Sequence, residues 1–306
     1  MTGKEPTSLQ AEWEAPPPEP GPKAAPKQAE AAPHYDLVVE AGRGERRYWR
    51  DLWHYRELFY FLAWRDILVR YKQTVIGIAW ALLRPLLTIL VFTVVFGQLA
   101  GMAEGTEAPY AVLVCAALLP WQFFANALSE CGGSVLANAN LIAKVYFPRI
   151  IAPISAVIVS LVDFAISGVI LVGLMVYYGY VPTWRIVTLP LFVLLALVAA
   201  LGAGLWLSAL TVKYRDFRYI VPFLVQIGLY VSPVGFSSSR VPDQWRLLYS
   251  LNPMVGVIDG FRWAIVGGPE EIYWPGMLLS VALVGVLFVS GLWYFRRTER
   301  SFADIL

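Results

Sequence analysis

Hydrophobic and polar positions fall into long blocks along this chain, and the blocks predict membrane-crossing helices. Six apolar stretches lie near residues 76–102, 109–133, 150–179, 186–211, 218–236 and 275–295. Each approaches or exceeds the about 20 residues that, at ~1.5 Å apiece, cross ~30 Å of hydrocarbon. A different pattern precedes the first. Between Tyr60 and Thr74, Arg65, Asp66, Arg70 and Lys72 are interspersed with Trp64, Ile67, Leu68 and Tyr71, which suits an amphipathic helix at a membrane surface. From Val75 the chain turns apolar, so an in-plane helix feeds a spanning one. Such a junction can receive force on one side of a membrane and use it inside.

The region 237–274 fits neither pattern. Residues 251–268 are apolar yet hold Asn252, Asp259 and Arg262, with Trp263 beside them, Pro253 near one end and paired glycines at the other. A lipid-facing helix does not readily tolerate such polar groups. A short re-entrant hairpin between the fifth and sixth spans, buried in protein near the outer surface, would satisfy its backbone. A seventh crossing would instead put the C-terminal arginines outside. The expected fold is all-α and integral to the membrane: six transmembrane helices, an N-terminal amphipathic helix, and a re-entrant excursion before the last span.

Basic residues set the direction. With the N-terminus inside, 19 of the 24 lysines and arginines are cytoplasmic. Four (Arg185, Arg240, Arg246 and Arg262) lie outside, and Arg84 is left within a span. An inside excess of this kind orients membrane proteins, so both termini of a multi-pass protein are expected in the cytoplasm. The net charge of +2 gives no reason to expect a nucleic-acid partner. A chain 58% hydrophobic and 15% charged departs from soluble domains in the direction that spans require. Cys115 and Cys131 sit in or beside apolar runs and suit small apolar packing rather than a disulfide or metal site. The first 34 residues hold eight of the 21 prolines and no apolar core, so they predict a disordered cytoplasmic tail. Residues 35–74 then form a lead-in and interface helix, and 75–306 the transmembrane domain.

Charges inside spans come next, because each needs a partner or a water path. Arg84, followed by Pro85, lies in the first span, Asp163 in the third, and Glu130 near the inner end of the second. Arg84 is expected to pair with Asp163 or Glu130, to line a polar path, or to snorkel to the inner surface. Trp80, Trp121, Phe123, Phe124 and Tyr230 are candidates for conduit walls, where flat rings slide on sugar C–H faces. Interfacial belts are the alternative. Between the second and third spans, Asn138 to Arg149 opens on polar residues, repeats Leu141, Ile142 and Val145 at helical spacing, and stops at Pro148. This short helix is either a connector or a knob that docks into a partner. No Walker loop and no hydrolase or zinc-protease motif occurs, so an ATP-driven process would need its ATPase on another chain.

Four stretches together resemble the permease subunit of type-2 ABC exporters for bacterial polysaccharides (O-antigen, capsule and teichoic acid). They are 64–74, 119–124, 138–149 and 251–263, and the resemblance runs in order over about 45–306. It implies a homodimer of six-span subunits in the bacterial inner membrane, paired with two ATPase subunits that bind ATP and Mg, with no cofactor on this chain. It also implies an interface helix at 49–72 and a coupling helix at 138–147 seated in the ATPase. That assigns coupling to Asn138, Asn140, Leu141, Lys144, Val145, Tyr146, Phe147, Pro148 and Arg149. Two short periplasmic re-entrant helices are implied within 245–268, and a lipid-linked polysaccharide would pass between protomers. Rival functions are export of teichoic acid or a small drug or lipid, a membrane glycosyl- or acyltransferase, and a secondary transporter. The transferase would need clustered Asp or His at the membrane surface, and the secondary transporter an inverted repeat and a mid-membrane acid or histidine chain. None is visible.

Overall fold

Prolines and one asparagine mark where several helices begin. Pro109 caps Tyr110–Ala137, and Pro190 and Pro275 lie in the first turns of Leu189–Lys213 and Trp274–Thr298. Asn252 accepts a hydrogen bond from the Met254 N–H at the start of Pro253–Ile265. Proline is tolerated there because the first N–H groups of a helix have no intrahelical partner. The computed structural model describes residues 50, 52–72, 77–102, 108–267 and 272–302, all within one unit, Glu45–Leu306. The expected tail 1–34, the lead-in to residue 48 and the loop residues 103–107 lie outside them.

The described elements are helical. In chain order they are α1 (Arg56–Lys72), α2 (Gly77–Phe92), α3 (Tyr110–Ala137), α4 (Ala139–Lys144) and α5 (Ile151–Tyr177). Then come α6 (Leu189–Lys213), α7 (Phe217–Val231), α8 (Asp243–Tyr249), α9 (Pro253–Ile265) and α10 (Trp274–Thr298). A π-helical stretch, Thr93–Leu99, prolongs α2. Five are long and apolar enough to cross a membrane: α2 with its extension, α3, α5, α6 and α10. The fifth expected span, α7, is apolar but only 15 residues long, about 22 Å. It ends because Pro233 holds Ser232 in an extended conformation.

The central helix is α3. Its apolar window is 83% buried, against 22–28% for the other four. Ala111, Cys115, Ala116 and Ala117 are small enough to let neighbours close on it from several sides, which suits a helix whose first half is apolar all round. Both cysteines are buried and unpaired by disulfide. Helices α5 and α6 pack on α3, α10 packs on α6, and α9 fills the remaining corner with Met254, Ile258 and Phe261.

Backbones approach closely where α6 meets α10. A Cβ added at Gly291 would sit 2.2 Å from the Gly202 carbonyl oxygen, so the contact needs glycine on both helices. Between membrane helices, packing of this kind replaces the hydrophobic drive that water supplies elsewhere. Gly291→Ala is expected to lower stability by about 2 kcal/mol through overpacking. Thermal unfolding in detergent checks this; an unchanged midpoint would show that the helices can part freely.

The bundle has two distinct ends. At one, the Tyr110 hydroxyl donates to the Gly235 carbonyl at 2.6 Å, and the Tyr180 hydroxyl donates to the Val266 carbonyl. These bonds join the start of α3, the end of α5 and the segments flanking α8 and α9. At the other end, the last turn of α3, the short α4 and the first turn of α5 meet α1.

Candidate functional site

Helix α1 is held by one apolar seat and two polar ties. Leu62 is fully buried with Phe147 and Ile151, so α1 packs against the segment after α4 and the start of α5. Arg65 donates to Asp66 and, at 2.9 Å, to Oδ1 of buried Asn138, whose amide in turn donates to the Ser134 carbonyl. Near the end of α1, Arg70 reaches Asp163 at 3.0 Å and Glu130 at 3.1 Å, and the Tyr71 hydroxyl donates to Asp163. Burial, reinforced by that carboxylate, pushes the Tyr71 hydroxyl above its ordinary pKa. Lys72 and Trp64 are exposed, and Trp64 stacks on Tyr60 at 6.2 Å.

Of the alternatives expected for Arg84, the structure shows it lining a cleft rather than paired with Asp163 or Glu130. Among the described residues Arg84 makes no ion pair; Arg70 takes both carboxylates instead. The reason lies in how α1 runs. Its Leu62 meets Ile151 while its Arg70 meets Asp163, twelve residues further along α5, so α1 lies alongside the first half of α5 rather than across its end. Arg84 and Asp163 both lie inside apolar runs, which is what suggests pairing them, but the sequence does not show a neighbour that climbs beside their helices.

An open cleft of about 1130 Å³ lies over this polar cluster. Trp80, Arg84 and Thr88 of α2 line one side at successive helical turns. From α3 come Trp121, Gln122, Asn126 and, at the polar end, Glu130; α7 contributes Gln226 and Tyr230. Arg70, Tyr71 and Asp163 close that end. Trp80 and Tyr230 are 61% and 63% exposed, so both can present ring faces to a ligand. Phe123 and Phe124 do not line the cleft. Phe123 is buried edge-on to Phe164 at 5.6 Å, and Phe124 packs beside Trp121 at 5.8 Å. About 100° separates successive helical residues, so a face holding Trp121, Gln122 and Asn126 turns Phe123 inward. Sequence reading missed Gln122, Asn126 and Gln226, although polar residues one turn apart inside apolar runs were a visible signal.

The segment 138–149 divides by exposure. Asn138, Phe147 and Pro148 are buried, and Leu141 and Arg149 are half-buried. Asn140, Lys144, Val145 and Tyr146 are exposed, forming a short edge that ends in an extended turn at Val145. Phe147 thus anchors the loop while Tyr146 projects from it.

At the opposite end, α8 and α9 form a pair of short helices. The Asn252 amide donates to Ser232 Oγ at 2.9 Å and caps α9. Arg262, only 3% exposed, donates from Nη2 to the Val234 carbonyl at 2.9 Å and from Nη1 to that of Phe236 at 2.6 Å. A longer contact runs from Nε to Leu113 at 3.4 Å. Asp259 accepts from Ser238 at 2.6 Å, and Trp263 lies under Arg185 at 5.0 Å. The Tyr249 hydroxyl donates to the Val231 carbonyl, and burial, then the Asp259 charge, raises its pKa. The polar groups that looked costly in a span are therefore held by protein.

Long apolar helices around a polar-ended cleft are the features of a multi-pass membrane protein with room for a polar ligand. The chain belongs to the ABC-2 type transporter family, whose sequence pattern matches residues 57–266. It is 30% identical over 215 residues to the O-antigen export system permease protein RfbA of Myxococcus xanthus, covering 70% of this chain and 82% of that protein. A Klebsiella pneumoniae protein of the same name is 26% identical over 255 residues, covering 82% of this chain and 95% of its own length. The polysialic acid transport protein KpsM of Escherichia coli is 22% identical over 209 residues, covering 67% and 79%.

Proposed function

We propose that this chain is the membrane subunit of an ATP-driven exporter that carries a lipid-linked polysaccharide, of O-antigen or capsule type, from cytoplasm to periplasm. It works as a homodimer in the bacterial inner membrane with two copies of a separate ATPase subunit, which bind the ATP and Mg. The observation that carries this reading is the seating of α1. Arg65 ties it to Asn138 beside α4, while Arg70 and Tyr71 tie it to the helices that line the cleft. One mechanical linkage thus joins an exposed edge to the transport path. The names of the relatives support the class of cargo.

In this reading α4 is the coupling helix, with Lys144, Val145 and Tyr146 seated in the ATPase. Closure of the ATPase dimer pushes α4, and α1 transmits the movement to the cleft through the Arg70 cluster. Helix α5 is about 40 Å long, some 10 Å more than the hydrocarbon core, so its overhang leaves room for α1 at the cytoplasmic interface. Helix α7, completed by residues 232–236, makes the fifth of six crossings, α10 makes the sixth, and α8 and α9 between them are the periplasmic re-entrant pair. An even number of crossings and the basic residues around α1, α4 and the C-terminus support a cytoplasmic position for both termini. Trp80, Leu83 and Leu90 of α2 and Phe223, Leu224 and Ile227 of α7 leave apolar side chains exposed. These suit a second protomer, with the glycan passing between the two.

The test is to replace Lys144 and Tyr146 with alanine and measure ATP turnover by the assembled complex. Both residues are exposed, so stability should change by less than about 0.5 kcal/mol. Transport-coupled turnover should fall about tenfold, the equivalent of ~1.4 kcal/mol of coupling. Unchanged coupling in a normally assembled complex would remove α4 from the mechanism.

A further inference from the structure

Three side-chain amides open onto the cleft without a protein partner. Gln122 and Asn126 lie one turn apart on α3, and Gln226 lies on α7, one turn before Tyr230. Among the described residues none of the three hydrogen-bonds to protein. The structural amides behave differently: Asn138 and Asn252 each use both their oxygen and their nitrogen. An amide on a membrane-crossing helix is costly unless water or a ligand satisfies it. Three on one cleft make a polar track, flanked by the exposed rings of Trp80 and Tyr230.

The charges are arranged differently. Arg70, Glu130 and Asp163 are committed to one another at one end. Arg84 alone among the four charged lining residues has no ion-pair partner among the described residues. A glycan with a negative charge on every sugar would meet one uncommitted cation and then only amides, hydroxyls and rings. An uncharged glycan offers hydroxyl and acetamido groups that both donate and accept. The amides answer in kind, since each carries two donors and a carbonyl acceptor. Turn spacing of about 6 Å repeats the contact along the path without fixing the chain in place.

We infer that the cleft selects uncharged glycans, with Gln122, Asn126 and Gln226 hydrogen-bonding the sugar's hydroxyl or acetamido groups as it passes. This rests on the reading of the chain as a glycan exporter and names the substrate class of that site.

The test uses cells that lack their own permease and express this chain with its ATPase. Enzymes for either a neutral N-acetylglucosamine-containing polymer or polysialic acid, built on the same lipid anchor, are supplied separately. Surface glycan is counted by flow cytometry, with membrane level and ATPase co-purification measured for each variant. The native chain should export the neutral polymer at least about tenfold better than the polyanion, and the triple variant Gln122→Leu/Asn126→Leu/Gln226→Leu should lose a similar factor on the neutral polymer. Gln226→Lys should raise export of the polyanion, a gain that a misfolded protein would not produce. Equal export of both polymers, full neutral export by the triple variant, or no gain from Gln226→Lys would overturn the inference while leaving glycan export standing. Export of neither polymer by the native chain would remove the export reading and this inference with it.

Discussion

Arg262→Leu is expected to destabilise the protein by about 3–5 kcal/mol, because it strips the donor from buried backbone carbonyls and removes the fork that ties three segments together. The guanidinium is 3% exposed and donates to carbonyls of Val234 and Phe236, just beyond α7, with a longer contact to Leu113 on α3. Leucine fills part of the volume but leaves those carbonyls without a donor, each costing about 1–3 kcal/mol when water cannot replace it. The substitution should loosen α9 from both neighbours. Arg262→Lys keeps the charge but not the planar fork that bonds two carbonyls at once, so it should recover less than half the loss. Thermal unfolding in detergent measures both. A loss below about 1 kcal/mol for Arg262→Leu would mean that water reaches the carbonyls and the site is not dry.

Arg70→Ala should have the largest effect on transport. Its two acidic contacts differ in burial: the Asp163 side chain is 14% exposed and that of Glu130 50%. The exposed pair should contribute less than about 1 kcal/mol. Removing Arg70 leaves Asp163 inside the bundle with Tyr71 as its remaining described partner, so about 2–3 kcal/mol should be lost, mainly there. A double-mutant cycle between Arg70→Ala and Asp163→Asn should show coupling of about 2 kcal/mol. The Arg84→Gln and Asp163→Asn pair should be additive within about 0.5 kcal/mol. Because Arg70 also ties α1 to the cleft, export should drop about tenfold or more even where the folded protein persists, equivalent to ~1.4 kcal/mol or more of coupling. Additivity of Arg70 with Asp163, or coupling of Arg84 with Asp163, would reverse the assignment.

Much of the architecture is legible because membrane helices are written in composition. Five of the six apolar runs and the short helix before Pro148 are local signals that the structure repeats. The site is less legible. The Arg70–Asp163 contact spans 93 positions with no periodicity to announce it, and it depends on α1 running beside α5. Helix α3 is apolar round most of its surface, and Trp121 and Phe123 flank Gln122, so spacing alone does not tell which ring faces the cleft. Packing decides: Phe164 takes Phe123 inward, and a Cβ at Gly228 of α7 would sit 2.5 Å from the Trp121 ring, which gives that indole its place. Helix α7 illustrates the same limit at its end, since its apolar run continues to residue 236 but Pro233 stops the helix at Val231.

ATP-driven export is tested by placing this chain in inverted membrane vesicles with its ATPase and a lipid-linked neutral glycan on the outside. Glycan protected inside the vesicles is measured with and without ATP. Accumulation should require ATP and both subunits, and should fall about tenfold with Arg70→Ala. Accumulation by this chain without the ATPase or ATP, or none when all components are present, would contradict ATP-driven glycan export by this chain.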